Sequence, residues 1–171
     1  MQPRREQAAA TPRLGRYEID TSASTITFRT RHLFGLAPVR GGFAIRTGMV
    51  DVTEPLAEAS VHAEIETASF RTGNGPRDDT VRSARFLDAG RHPVMMFVAA
   101  GVDDGVLTGT LTVRGVARPV SLSIERPTVA PRSFTVRATT RIDRTEFGVT
   151  ASRGLTGRYL DVSVAVRCVR T

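Results

Sequence analysis

From Tyr17 onward, apolar and polar residues alternate with a period of two. Val61, Ala63 and Ile65 alternate with His62, Glu64 and Glu66, and Leu107, Gly109, Leu111 and Val113 with Thr108, Thr110 and Thr112. Val120, Leu122 and Ile124 alternate with Ser121, Ser123 and Glu125. Phe134, Val136 and Ala138 alternate with Thr135, Arg137 and Thr139, a parity that reaches Ile142. Val162, Val164 and Val166 close the series. Strands with one wet and one dry face read this way, and they pair antiparallel. With Tyr17–Asp20, Thr25–Thr30, Val39–Thr47 and Val94–Ala100 added, the pattern predicts about eight or nine strands. Asp104-Gly105, Arg114-Gly115 and the stretch between Pro127 and Pro131 punctuate them as turns. An all-β sandwich or barrel follows.

One segment breaks the period. Between Asp78 and Asp88, Val81, Ala84 and Leu87 recur at helical spacing. The spacing predicts a short helix over Asp78–Leu87, capped by Asp78 or Asp79 and stopped by Gly90 and Pro93. It is expected outside the barrel or across its rim. Val94, Met96 and Val98 are apolar on the parity opposite to Met95 and Phe97. That strand is therefore expected to be dry on both faces, covered by the helix or by the second subunit of a homodimer.

The length of 171 residues fits one domain with a tail, and 40% hydrophobic with 24% charged residues is a globular balance. The net charge of +7 points to anionic partners, and every one of the basic residues is arginine. Arg4, Arg5, Arg13 and Arg16 stand against Glu6 alone, so residues 1–16 are expected to form a disordered basic tail before a domain over 17–171. The remaining excess is spread thinly and aromatic residues are only 6%, which argues against nucleic acid. The N-terminus has no apolar core of a secretory signal, and no apolar run approaches the ~18 residues of a membrane span. A cytoplasmic protein without stable membrane insertion is the expectation. Cys168, the single cysteine, has no disulfide partner and reads as a passive thiol.

Candidate chemistry is sparse. His32, His62 and His92 lie in separate segments with no carboxylate at metal-ligand spacing, so no metal site is expected. His62 sits on a polar face and His92 before Pro93, whereas His32 lies in the apolar stretch RTRHLFGLAP and is a candidate ligand contact. Asp143 and Glu146 read as surface charges rather than a catalytic pair, and no residues are assigned to catalysis. What remains is the dry face: Ile26, Phe28, Phe43, Ile45, Val61, Ile65, Met95, Phe97, Leu111, Leu122, Phe134, Val136 and Ile142. These residues either fill a plain core or line the ligand cavity of a small barrel. The small residues Gly109, Ala63, Ala99 and Ala138 on the same face, and the absence of Trp, favour the cavity.

Several short motifs occur in a specific order. Tyr17, Ile19 and Asp20 open the chain, and Thr72, Gly73, Asn74, Arg77 and Asp78 lead into Phe86 and Asp88. Pro93 and Phe97 follow, then Gly109, Leu111, Thr112, Gly115, Val116, Pro119 and Val120, then Arg144, Phe147 and Gly148. In this order the chain resembles the YceI-like family of polyisoprenoid-binding proteins from about Tyr17 to Val166. It departs from the family in having Tyr17 where Trp is usual and Ala23-Ser24 in place of His-Ser. The resemblance implies an extended lipocalin-like antiparallel barrel, with an elongated apolar pocket for an isoprenoid or other long-chain lipid. It further implies frequent homodimers, no metal, no cofactor beyond a bound lipid, and no established catalysis.

The expected function is thus non-enzymatic binding, transport or storage of a polyisoprenoid, such as a quinone or a polyprenyl phosphate. His32, Arg77 and Arg144 are the head-group candidates, although Arg77 beside Asp78 also reads as part of a helix cap. Arg31, Arg40 and Arg153, with Arg144, flank turns or strand ends where a barrel has its mouth. The alternatives are an interaction module with a filled core, and an enzyme acting on an isoprenoid lipid. The enzyme would need a titratable group on the inward face.

Overall fold

Alternation becomes strands wherever the chain finds a neighbour. The computed structural model describes residues 11–32, 37–152 and 157–171. Ten strands appear in it: β1 (Gly15–Ile19), β2 (Thr25–His32), β3 (Ala37–Val52), β4 (Ser60–Arg71), β5 (Val94–Asp103), β6 (Val106–Val113), β7 (Val116–Ile124), β8 (Thr128–Ala130), β9 (Ser133–Asp143) and β10 (Tyr159–Arg170). All pairings are antiparallel. The sheet runs β10-β2-β3-β4-β5-β6-β7-β9, and β9 pairs back onto β10, closing a barrel of eight staves. β1 and β8 are additions. β1 lies between β10 and β3, prolonging the stave begun by β2, and among the described residues β8 pairs only with β9.

Two turns explain how adjacent staves stay in register. Asp104-Gly105 and Arg114-Gly115 each carry two consecutive positive φ values (49° and 72°, 53° and 75°). That is the type I′ geometry whose twist matches paired strands. Pro119, which cannot donate to a ladder, sits in β7 opposite Thr110 of β6, while the β7–β9 ladder pairs Ser123 with Thr139 and Ile124 with Ala138.

The expected helix forms, with shifted bounds. α1 covers Gly75–Arg82, and its N-cap is Asn74, whose side chain accepts from the Arg77 amide. Asp78 and Asp79, the expected caps, lie inside the helix instead. The buried Asp78 carboxylate accepts from the Thr72 amide at 3.0 Å and from the Thr72 hydroxyl. The helix ends at Arg82 with Ser83 as C-cap, and residues 84–87 continue as turns that carry Phe86 and Leu87 inward. The helix does not cover β5. Val81, Phe86 and Leu87 pack into the cluster of Phe28, Ile65, Phe70 and Met95, while Val98 stays 47% exposed. The expectation that α1 dries the outer face of β5 is thus corrected: the helix closes an end of the barrel.

Three smaller expectations change. β1 begins at Gly15 and Arg16 pairs with Asp51, so the last two residues of the expected tail belong to the sheet. Residues 1–10 lie outside the described ones. The stretch between Pro127 and Pro131 holds β8 rather than turn alone. Asp143 is no plain surface charge, because its carboxylate accepts from the Thr145 amide and pairs with Arg158 at 2.8 Å.

Candidate functional site

An antiparallel barrel sends its connections alternately to two ends. One end gathers the end of β2 and the start of β3, α1 with the turns after it, Arg114-Gly115, and the 3-10 turn Arg144–Phe147 that follows β9. The other gathers the 3-10 turn Leu56–Glu58, Asp104-Gly105 and the start of β8. Between them runs one continuous cavity of about 1010 Å³, at the upper end of the ~300–1,000 Å³ usual for ligand pockets.

All thirteen residues of the dry face line this cavity. The filled-core alternative is overturned. Of the small residues, Ala63 and Ala138 line the space. Gly109 serves packing instead, because a Cβ there would meet Phe97 Cε2 at 2.8 Å and Ala99 Cβ at 2.7 Å. Alternation alone misses Phe70, which falls on the opposite parity to Ile65 yet lines the cavity, stacked on Phe28 at 5.3 Å. Its parity flips because β4 changes register against β3 between Glu66 and Arg71. Phe86 and Phe147 are lining residues outside the strands, visible in the sequence only through the motifs that contain them.

At the α1 end the lining turns polar. Arg31, Arg77 and Arg144 meet there with Thr30, Thr72 and Thr80. They come from β2, α1 and the turn after β9. Arg144 is only 8% exposed: its Nε donates to the Gly157 carbonyl at 2.8 Å and its Nη1 to the Val149 carbonyl at 2.7 Å. Its guanidinium carbon lies 6.0 Å from the centre of the Phe86 ring. Arg77 Nε donates to the Thr72 hydroxyl at 2.9 Å, so the Thr72–Asp78 clamp also orients Arg77. His32 ends β2 opposite Ala37 at this rim, and its side chain lies outside the described residues, as does Arg153.

Two acids near this end, Asp78 and Asp143, are already engaged. Burial pushes the Asp78 carboxyl up, but the Thr72 bonds with Arg82 and Arg77 outweigh it and hold the group below its ordinary value. Asp143 behaves likewise, burial being outweighed by Arg158 and Thr145. Among the described lining residues the only carboxylate is Glu125, at the far end beside Arg126. The cavity is therefore apolar along its length and positive at the α1 end. Cys168 lines the far half, fully buried, and burial pushes its thiol up to about 12. No group of three or more metal-ligating side chains occurs among the described residues.

A family model described as a YceI-like domain matches residues 17–168. A UPF0312 protein of Vibrio parahaemolyticus is 32% identical over 117 residues, covering 64% of this chain and 61% of that protein. The chain thus spans about three-fifths of that relative's length. Among solved structures, BcnA of Burkholderia cenocepacia superposes with a TM-score of 0.76 at 20% identity, covering 87% of this chain and 98% of that one. A domain from Saccharophagus degradans, described as polyisoprenoid-binding and implicated in plant cell wall breakdown, gives 0.72 at 14% identity, covering 93% and 100%. At these identities the superpositions speak for the fold.

Proposed function

This chain belongs to the YceI-like family, and on that premise we propose that it binds a polyisoprenoid or similar long-chain lipid non-enzymatically, to carry or store it. The observation that carries this reading is the elongated apolar cavity of about 1010 Å³ with guanidinium groups at one end. Each CH₂ moved from water into it contributes about 0.8 kcal/mol, so a tail of several prenyl units is held without any hydrogen bond. The name given to the Saccharophagus degradans domain, which shares the fold, supports the same ligand class.

The head group belongs at the α1 end. Arg31, Arg77 and Arg144 reach the lumen there, and guanidinium forks suit phosphate or another oxygen-rich anion. An enzymatic role would need an acid or base beside the tail; among the described lining residues the one carboxylate, Glu125, stands at the far end beside Arg126, and burial keeps the Cys168 thiol protonated. With α1 off the outer face of β5, exposed Val98, on the same face as half-buried Val94 and Met96, is where this reading places a homodimer contact.

The test is lipid analysis of freshly purified protein by native mass spectrometry, followed by titration with matched polyprenyl phosphate and polyprenyl alcohol at low and high salt. A stoichiometric lipid and tighter, salt-sensitive binding of the phosphate are expected, because screening weakens exposed charge pairs and spares the buried tail. Equal, salt-independent affinities would remove the arginines and leave a tail-only binder. No binding of either would end the reading.

A further inference from the structure

Outside the lumen, the barrel carries a second concentration of charge. In the ladder β9–β10–β2–β3, Arg141 pairs with Asp161, Asp161 with Arg29, and Arg29 with Arg40. Asp161 is taken by Arg141, at 3.0 Å. Arg29 and Arg40 are thus left directly opposite each other on the outer face, both exposed. Like charges facing across a strand pair are destabilising, their Cβ atoms being only about 5 Å apart.

Arg71 adds to the pair. Gly41 faces the lumen, where a Cβ would strike the Phe28 ring, so Gly42 faces out, and a Cβ on it would lie 3.2 Å from Arg71 Nη2. The Arg71 guanidinium therefore lies over β3 on the same face as Arg40. Among the described residues none of Arg29, Arg40 and Arg71 forms an ion pair. Arg31, two residues beyond Arg29, carries the patch onto the rim, where it also lines the cavity. Tyr159 stands on the same rim, 45% exposed, with Arg141 and Arg158 over its ring at 5.3 and 5.2 Å.

We propose that the outer face of β2 and β3, around Arg29, Arg40 and Arg71, docks the barrel on an anionic phospholipid bilayer with its α1 end towards the membrane. Phosphate groups of the bilayer relieve the repulsion between Arg29 and Arg40. The continuity of the patch with the mouth through Arg31 selects a bilayer over other polyanions, since a lipid leaving the bilayer meets the lumen at once. Tyr159 has the amphipathic character of residues at a membrane–water interface, whereas the patch offers no row of aromatics on which bases could stack. The docking gives the lipid reading above a route of loading, and rests on it only for that purpose.

The experiment compares the full-length protein with its Arg29→Gln/Arg40→Gln variant in co-sedimentation with vesicles of phosphatidylcholine alone or mixed with phosphatidylglycerol. Neither residue lines the cavity, and both proteins keep the basic N-terminal residues, so that contribution cancels. The wild type should bind the mixed vesicles and not the neutral ones, and should be released in about 1 M salt, where the screening length falls to ~3 Å. The variant should partition about thirtyfold more weakly, from about 1 kcal/mol per arginine at an anionic surface. Equal binding of wild type and variant, no preference for anionic vesicles, or binding of a DNA duplex in place of vesicles would each overturn the proposal. Uptake of a fluorescent polyprenyl probe without vesicles, expected to be the same in both proteins, reports on the lumen separately. Lost uptake with vesicle binding intact would sink the lipid-binding reading and leave the docking face standing.

Discussion

Replacing Ala138 by phenylalanine distinguishes empty space from packed core in one protein. Ala138 lies in β9 opposite Val164 of β10 and Ile124 of β7, is 8% exposed, and lines the cavity. A space of ~150 Å³ suffices to hold a benzene ring, about one-seventh of the 1010 Å³ available. The new ring should therefore enter the lumen without displacing its neighbours. Burying it contributes on the order of 2 kcal/mol, less the entropy of fixing its rotamer. The melting temperature should stay the same or rise slightly. A lipid tail long enough to pass Ala138 must give up room equivalent to roughly five CH₂ groups, about 4 kcal/mol or 10³-fold in affinity. A tail too short to reach the ring should lose little. Differential scanning fluorimetry and titration with prenyl alcohols of increasing length read the two effects apart. In a filled core the same ring would overpack, costing about 1–3 kcal/mol. A clear loss of stability with unchanged affinity for long tails would refute the open lumen.

Three further outcomes follow from named contacts. Asn74→Ala removes the side-chain acceptor of the Arg77 amide and should cost about 1 kcal/mol in urea unfolding, while Asn74→Ser should recover most of it. Asp78 and Asp143 are held below their ordinary carboxyl values in the fold. Their stabilisation is therefore full above the unfolded value near ~3.9 and lost as pH falls through the folded one. Urea midpoints should drop below about pH 4, and Asp78→Asn should flatten that acid limb. Cys168, fully buried with its thiol pushed up to about 12, should resist iodoacetamide at mildly alkaline pH until the protein is unfolded. Rapid alkylation of the native protein would contradict its burial.

The sequence by itself determined which side of each strand is dry. Phe28, Ile65, Phe134 and their companions face inward because period-two alternation leaves no other burial for them. It also determined the turns at Asp104-Gly105 and Arg114-Gly115, where local backbone preference suffices. The extent of the strands lay beyond it. β3 runs sixteen residues to Val52 and β8 exists at all because neighbours across the ladder supply hydrogen bonds, a long-range fact. The helix bounds also lay beyond the sequence: α1 starts at Gly75 with Asn74 as its cap, so both candidate aspartates fall inside it, where Asp78 holds Thr72 across the turn before the helix and Asp79 pairs with Arg82.

Phe70 was hidden because a register shift breaks the period that would have revealed it. Whether the dry face encloses space or fills it depends on how far apart eight staves stand once β9 closes onto β10, which no single strand encodes. The same closure decides the site's chemistry. Arg31, Arg77 and Arg144 are far apart in the chain and become one positive rim only because antiparallel connections return to the same end of the barrel.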